Sequence, residues 1–189
     1  MIMRLIINCL VFLLVCILPF SNGICQPGIS PAKDKNAEKL KLSRKYFWDN
    51  PPKPSGFVND YDNIYSDSEE IILDSLIADF EKRTTIQIAV AAFDTLMTSS
   101  DSLDALTLRL GNVWGVGQKD KNNGIIIGIC IAYRKMRIQN GYGIEKILTD
   151  AETKEIIDKA FLPGFRNNAY YEGTFNGLTL LMSTLEKKL

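Results

Sequence analysis

Two short polar stretches hold most of the side chains that could do chemistry. Asn59-Asp60-Tyr61-Asp62-Asn63 sets several oxygen donors within five residues. Hard cations such as Ca²⁺ or Mg²⁺ are held by such oxygens, from carboxylates, amides and carbonyls. Lys119-Asp120-Lys121-Asn122-Asn123-Gly124 is the second stretch, and Glu145 and Asp150 follow it. The chain contains no histidine. That excludes Ser-His-Asp and Cys-His catalysis, HExxH zinc sites and every His-ligated metal centre. Carboxylates, amides, Lys, Arg, Tyr or an oxygen-held metal ion remain.

Each stretch also has a plain structural reading. The first lacks the glycine and terminal glutamate offsets of an EF-hand, and an Asx-turn leading into a helix satisfies it equally. The two readings differ in sign. As a metal ligand among repelling carboxylates, Asp60 replaced by Asn raises metal-free stability; as a turn acceptor, the same change lowers it. The second stretch reads as a loop with glycine at a positive-φ position. Gly141-Tyr142-Gly143 resembles a piece of a dinucleotide fingerprint. The third glycine is missing and no helix is expected to open on it, so no dinucleotide cofactor is expected.

The elements that must position these residues lie between Gly111 and Asp150. Ile125, Ile126, Ile127, Ile129 and Ile131 make a β-branched run of strand length. Lys135 to Asn140 alternates like a half-buried strand after a polar turn at Arg134 and Lys135. An antiparallel pair would put the loop before the first strand and the GYG turn after the second at one end. Asp120, Asn122, Asn123, Glu145 and Asp150 are therefore expected together there, and that end is read as the functional one.

Around this pair, Ser66-x-x-Glu69 and Thr149-x-x-Glu152 match capping boxes. The first opens a helix with Ile72, Leu73, Leu76, Ile77 and Phe80 on one face. Ile86 to Phe93 reads as a buried strand, and Asp101 as the cap of a helix carrying Leu103, Leu106 and Leu110. Pro163-Gly164 is expected to stop the helix begun at Thr149, and a last helix runs from about residue 168 to 185. The order predicts an α/β/α sandwich: a small mixed sheet, widened by Phe57-Val58, with helices on both faces.

Residues 1–25 read as a secretory signal: Arg4, an apolar run from Leu5 to Phe20, then Ser21-Asn22-Gly23. A retained anchor and lipidation at Cys25 are the alternatives, and each places the domain outside the cytoplasm. Residues 26–55 hold 7 basic and 3 acidic side chains, and residues 56–189 hold 14 and 19. The former stretch reads as a basic Pro/Lys linker, extended at Pro51-Pro52-Lys53-Pro54. Leu40, Leu42, Tyr46, Phe47 and Trp48 give it material for a short packed helix. An acidic domain at 56–189 argues against a nucleic-acid partner. The four cysteines show no metal or disulfide spacing, and Cys130 reads as a buried core residue.

Taken together, GFVNDYDNIYSDSE, VWGVGQKDKNNGIIIGI, RIQNGYGIEKILTD and LPGFRNNAYYEG resemble the TPM domain. That family includes thylakoid-lumen photosystem II repair proteins and many bacterial secreted or membrane-anchored proteins. The resemblance implies an α/β/α sandwich, an acidic divalent-metal site for Ca²⁺ or Mg²⁺, and the phosphatase activity reported for plant relatives. Carried onto this sequence, the implied ligands are Asp60, the Asn122-Asn123 loop and Asp150, with Asp62, Asp120 and Glu145 as weaker candidates. Asn122 departs from the pattern, because relatives usually carry Asp there; a carboxylate's charge is lost. Two functions follow. One is an extracytoplasmic metal-binding module that docks or maintains a membrane protein or envelope complex. The other is a metal-dependent phosphoester hydrolase, with Arg137 or Arg166 neutralising the phosphate.

Overall fold

The computed structural model describes residues 31–189. The signal segment, with Cys9, Cys16 and Cys25, and the start of the linker lie outside the described residues. Four strands form one sheet in the order β1-β2-β3-β4: β1 (Val58–Asp60), β2 (Gln87–Ala92), β3 (Gly124–Cys130) and β4 (Lys135–Asn140). β1, β2 and β3 are parallel, and β4 returns antiparallel to β3. The helices are α1 (Pro31–Asp49), α2 (Asp67–Thr84), α3 (Leu103–Trp114), the single turn α4 (Tyr142–Glu145), α5 (Asp150–Ile156), α6 (Leu162–Arg166) and α7 (Tyr170–Glu186).

The expected α/β/α sandwich is the observed fold, and the strand alternation explains it. Ile125, Ile127 and Ile129 of β3 face one core with Leu73, Ile77 and Phe80 of α2 and with the apolar side of α7. Ile126 and Cys130 face the other, against Leu103, Leu106 and Leu110 of α3. Every residue of β3 is buried. Cys130 is a free, fully buried thiol, as its apolar neighbours predicted. Gly128 is what lets α3 lie down on the sheet: a Cβ there would sit 2.1 Å from Thr107 Oγ1. Both capping boxes form, at Ser66 with Glu69 and at Thr149 with Glu152.

Three local expectations are corrected. Pro163 does not stop the helix begun at Thr149. Five residues, Ile157–Phe161, wind as a π-segment in which Leu162 N–H reaches Ile157 O, and Pro163 then enters α6 in its first turn. Proline tolerates that position because the first helical residues need no N–H partner. The joint is pressed onto α7, where a Cβ on Gly177 would meet the Phe161 ring at 2.3 Å. The second correction is at Gly141, after which the chain makes one helical turn, α4, rather than a simple reversal. The third is Asp101: Ser102 holds the N-cap position of α3, and its hydroxyl pairs with Ser99 rather than with the helix.

Much of the stretch read as an extended spacer is helix α1. Its Ala, Lys, Glu and Leu content favours helix, and Pro31 occupies the first position, where its missing N–H is harmless. Phe47 is buried against Tyr61 and Phe93, with centroids 5.9 and 6.4 Å away. Arg44 donates to Thr95 O at 2.9 Å and to the Tyr133 hydroxyl at 3.0 Å. The extended Pro51–Pro54 piece is tied down as well, because Trp114 Nε1 donates to Pro52 O at 2.8 Å. Phe47→Ala should therefore lower unfolding free energy by about 3 kcal/mol in a urea titration. A spacer free of the domain would show no change.

Candidate functional site

The parallel sheet separates the sequence-derived candidates. β2 and β3 run level from Gln87 and Gly124 to Ala92 and Ile129, and Asp60 is paired with Ala92. Asp60 thus stands at the C-terminal ends of the parallel strands, while Asn122 and Asn123 precede the N-terminal end of β3. The length of β3 puts about 20 Å between these ends. Asp60, Asn122, Asn123 and Asp150 accordingly do not converge on one centre. Among the described residues no group of three acidic or cysteine side chains is close enough to hold an ion. The residues implied by the resemblance do not fit a single divalent-metal site.

The Asn122 end is a backbone lock. Asn123 is buried, with Oδ1 accepting Gln118 N–H at 2.8 Å and Nδ2 donating to Thr85 O at 2.6 Å. Gly117 N–H donates to Gln87 Oε1 at 2.7 Å, and Gly143 N–H donates to Asn122 O at 2.9 Å. A Cβ on Gly124 would overlap Val116 O at 2.0 Å, so only glycine lets the loop close. The loop and the GYG segment do meet, as expected, but through main-chain groups. Asp120, Asn122, Glu145 and Asp150 have exposed side chains around this lock. Asp150 lies in the first turn of α5, where a carboxylate complements the helix N-terminus.

At the other end, Asp60 closes an Asx-turn. Its two carboxylate oxygens accept Asp62 N–H at 3.1 Å and Tyr65 N–H at 2.8 Å. Asp94, just past β2, does the same work, accepting from Leu96 N–H and Met97 N–H at 2.8 and 3.0 Å. Asp62 feels the charges of both. Partial burial, then the charges of Asp94 and Asp60, push its carboxyl above the usual carboxylate range.

Beside this acidic corner opens a cavity of about 450 Å³, at the C-terminal end of β3. Ile129, Met136, Leu162 and Phe165 give it apolar walls, and the start of β4 faces α6 and the first turn of α7 across it. Arg134, Lys135 and Arg166 line it too, and no acidic residue does. Burial pushes the Cys130 thiol, also in the lining, above its ordinary value, so it stays protonated and a poor nucleophile. Of the two arginines proposed for phosphate, Arg166 is here. Arg137 is not: it is exposed along β4 and donates to Gln139 Oε1 at 3.4 Å. The sequence named Arg134 and Lys135 only as a polar turn, and did not single out Asp94. The usable signal was topological, since ligands of open parallel sheets gather beyond the carboxyl ends of the strands.

A mixed four-stranded sheet with helices on both faces and a cavity at its strand ends defines an α/β domain. The chain belongs to the TPM domain family, whose model matches residues 58–184. Three solved structures share the fold. The N-terminal domain of a P. gingivalis protein is 27% identical with a TM-score of 0.63, over 70% of this chain and 83% of that one. The BA42 protein of Bizionia argentinensis is 20% identical with a TM-score of 0.57, over 68% and 86%. The N-terminal domain of a Corynebacterium glutamicum protein is 19% identical with a TM-score of 0.51, over 71% and 83%. No curated protein matches the chain.

The hydrogen bonds at Asp60 decide between its two readings. Asp60→Asn keeps one acceptor oxygen and turns an amide toward a backbone N–H, so it should lose about 1 kcal/mol of stability. Melting curves with and without Ca²⁺ should show the same loss. A metal-free gain that calcium reverses would restore Asp60 as a ligand.

Proposed function

We propose that this TPM domain is an extracytoplasmic binding module that engages a membrane protein or envelope complex through the C-terminal end of its sheet. The observation that carries the reading is the cavity beside β3, apolar within and basic at Arg134, Lys135 and Arg166. Cavities of a few hundred Å³ with apolar walls and a few polar groups are the usual form of ligand sites. The apolar run from Leu5 to Phe20 supports the envelope setting.

The hydrolase reading has less behind it. Arg166 lines the cavity, but neither Asp60 nor Asp94 does, and each carboxylate orients backbone N–H groups of its own turn. Cys130, the nearest thiol, is held protonated by burial. Among the described residues no three acidic or cysteine side chains lie close enough to hold an ion that would supply hydroxide.

A photoreactive amino acid placed singly at Met136, Leu162, Lys119 or Lys121 in cells tests the face. Discrete adducts are expected from Met136 and Leu162, lost when Arg134 and Arg166 are both changed to Glu, and none from Lys119 or Lys121. Adducts confined to the Lys119 and Lys121 positions would move the binding face to the other end of the sheet. Absence of adducts from every position would remove the partner.

A further inference from the structure

The cavity's ligand can be narrowed, on the reading that this end of the sheet binds. Arg134 holds a left-handed backbone conformation, φ 50 and ψ 42, at the end of the 3-10 turn after β3. Asn168, also in the lining, has φ 57. Five non-glycine residues have positive φ among the described residues, and two of them border this one cavity. Asparagine is common in that conformation, arginine is not, and a glycine would relieve the strain. An arginine kept at a strained position points to work done by its side chain. Neither Arg134 nor Arg166 has a carboxylate partner among the described residues.

The occupant must therefore offer an anion at the rim and an apolar group within. Guanidinium groups match carboxylates in geometry, taking two parallel hydrogen bonds. The neighbouring backbone narrows the choice further. The cavity opens at Lys135 and Met136, the first residues of β4, and β4 is an edge strand of the sheet. An edge strand offers unpaired N–H and C=O groups to an extended chain. We propose that the cavity receives the C-terminal carboxylate of a partner polypeptide ending in a large apolar residue. Arg134 and Arg166 hold the carboxylate, Phe165 and Leu162 enclose the last side chain, and the preceding residues run along β4. The volume suits one large side chain and its carboxylate, with room for part of the residue before.

Fluorescently labelled pentapeptides of one common sequence, ending in Phe, Leu or Asp, test this on the purified full chain by anisotropy. Each is used as the free acid and as the C-terminal amide, and decanoate serves as a competitor. The Phe and Leu acids should bind, their amides at least tenfold more weakly, and the Asp acid more weakly than either. Arg134→Gly and Arg166→Ala should each lose at least tenfold in affinity, Arg134→Gly without loss of melting temperature, while Lys119→Ala, an exposed residue at the other end of the sheet, should bind as the parent does. Equal binding of acids and amides overturns the proposal, as does binding by no peptide at millimolar concentration. Decanoate binding where no peptide does would make the occupant a lipid acid and overturns it too. Cavity adducts in cells combined with any of these results would leave the binding face standing and remove only this ligand.

Discussion

β3 is buried on both faces, and that constraint governs the rest of the molecule. A strand with no polar face cannot turn its backbone groups to water, so both edges must be paired. β2 and β4 supply those pairings, one parallel and one antiparallel. The side chains of β3 then divide between two cores, with α2 and α7 over Ile125, Ile127 and Ile129, and α3 over Ile126 and Cys130. A slip of one residue would exchange the two sets and bring Gly128, which α3 requires beneath Thr107, to the wrong face.

The mixed pairing gives the two ends of β3 different characters. At Gly124 the chain enters from the tight 117–123 loop and β4 leaves toward α4, so four segments crowd together and main-chain contact fills the space. At Cys130 the parallel strands end, the 3-10 turn reverses the chain, and the π-segment carries α6 to the edge of the sheet. Here side chains rather than backbone border the space, and a cavity remains. Glycine and asparagine thus concentrate at one end, and open space lined by basic and apolar side chains lies at the other.

Most of the fold was legible in the sequence, because its signals are periodic and local. The isoleucine run, the two capping boxes and the alternation in β4 each named an element from one stretch of chain. Local signals misled where a remote contact decided. Pro163 reads as a stop until the π-segment and Gly177 are seen to absorb it. The basic stretch reads as spacer until Phe47 and Arg44 find Tyr61 and Thr95. The candidate site suffered most. Asn122, Asn123, Gly141 and Gly143 drew attention because unusual backbone demands unusual residues, and the same demand is what a packed lock makes. Joining them to Asp60 required the end of the sheet on which each falls, and that depends on β1 pairing with β2, a three-residue strand with almost no sequence signal. Arg134 and Arg166 are 32 positions apart, and only the α6–α7 joint brings them to one cavity.

On the proposed reading the two ends divide the labour: the Asn123 end holds the fold, and the Arg134 end is shaped for a ligand at some cost in stability. Equilibrium urea unfolding of Asn123→Ala and Arg134→Gly, side by side, measures it most directly. Asn123→Ala removes two side-chain-to-backbone hydrogen bonds made by a buried residue, at about 1 kcal/mol each, and should lose about 2 kcal/mol. Arg134→Gly relieves a left-handed residue and should lose nothing and gain up to about 1 kcal/mol. A large loss at Arg134 beside an unchanged Asn123→Ala would contradict the account, because the two ends would then have exchanged roles.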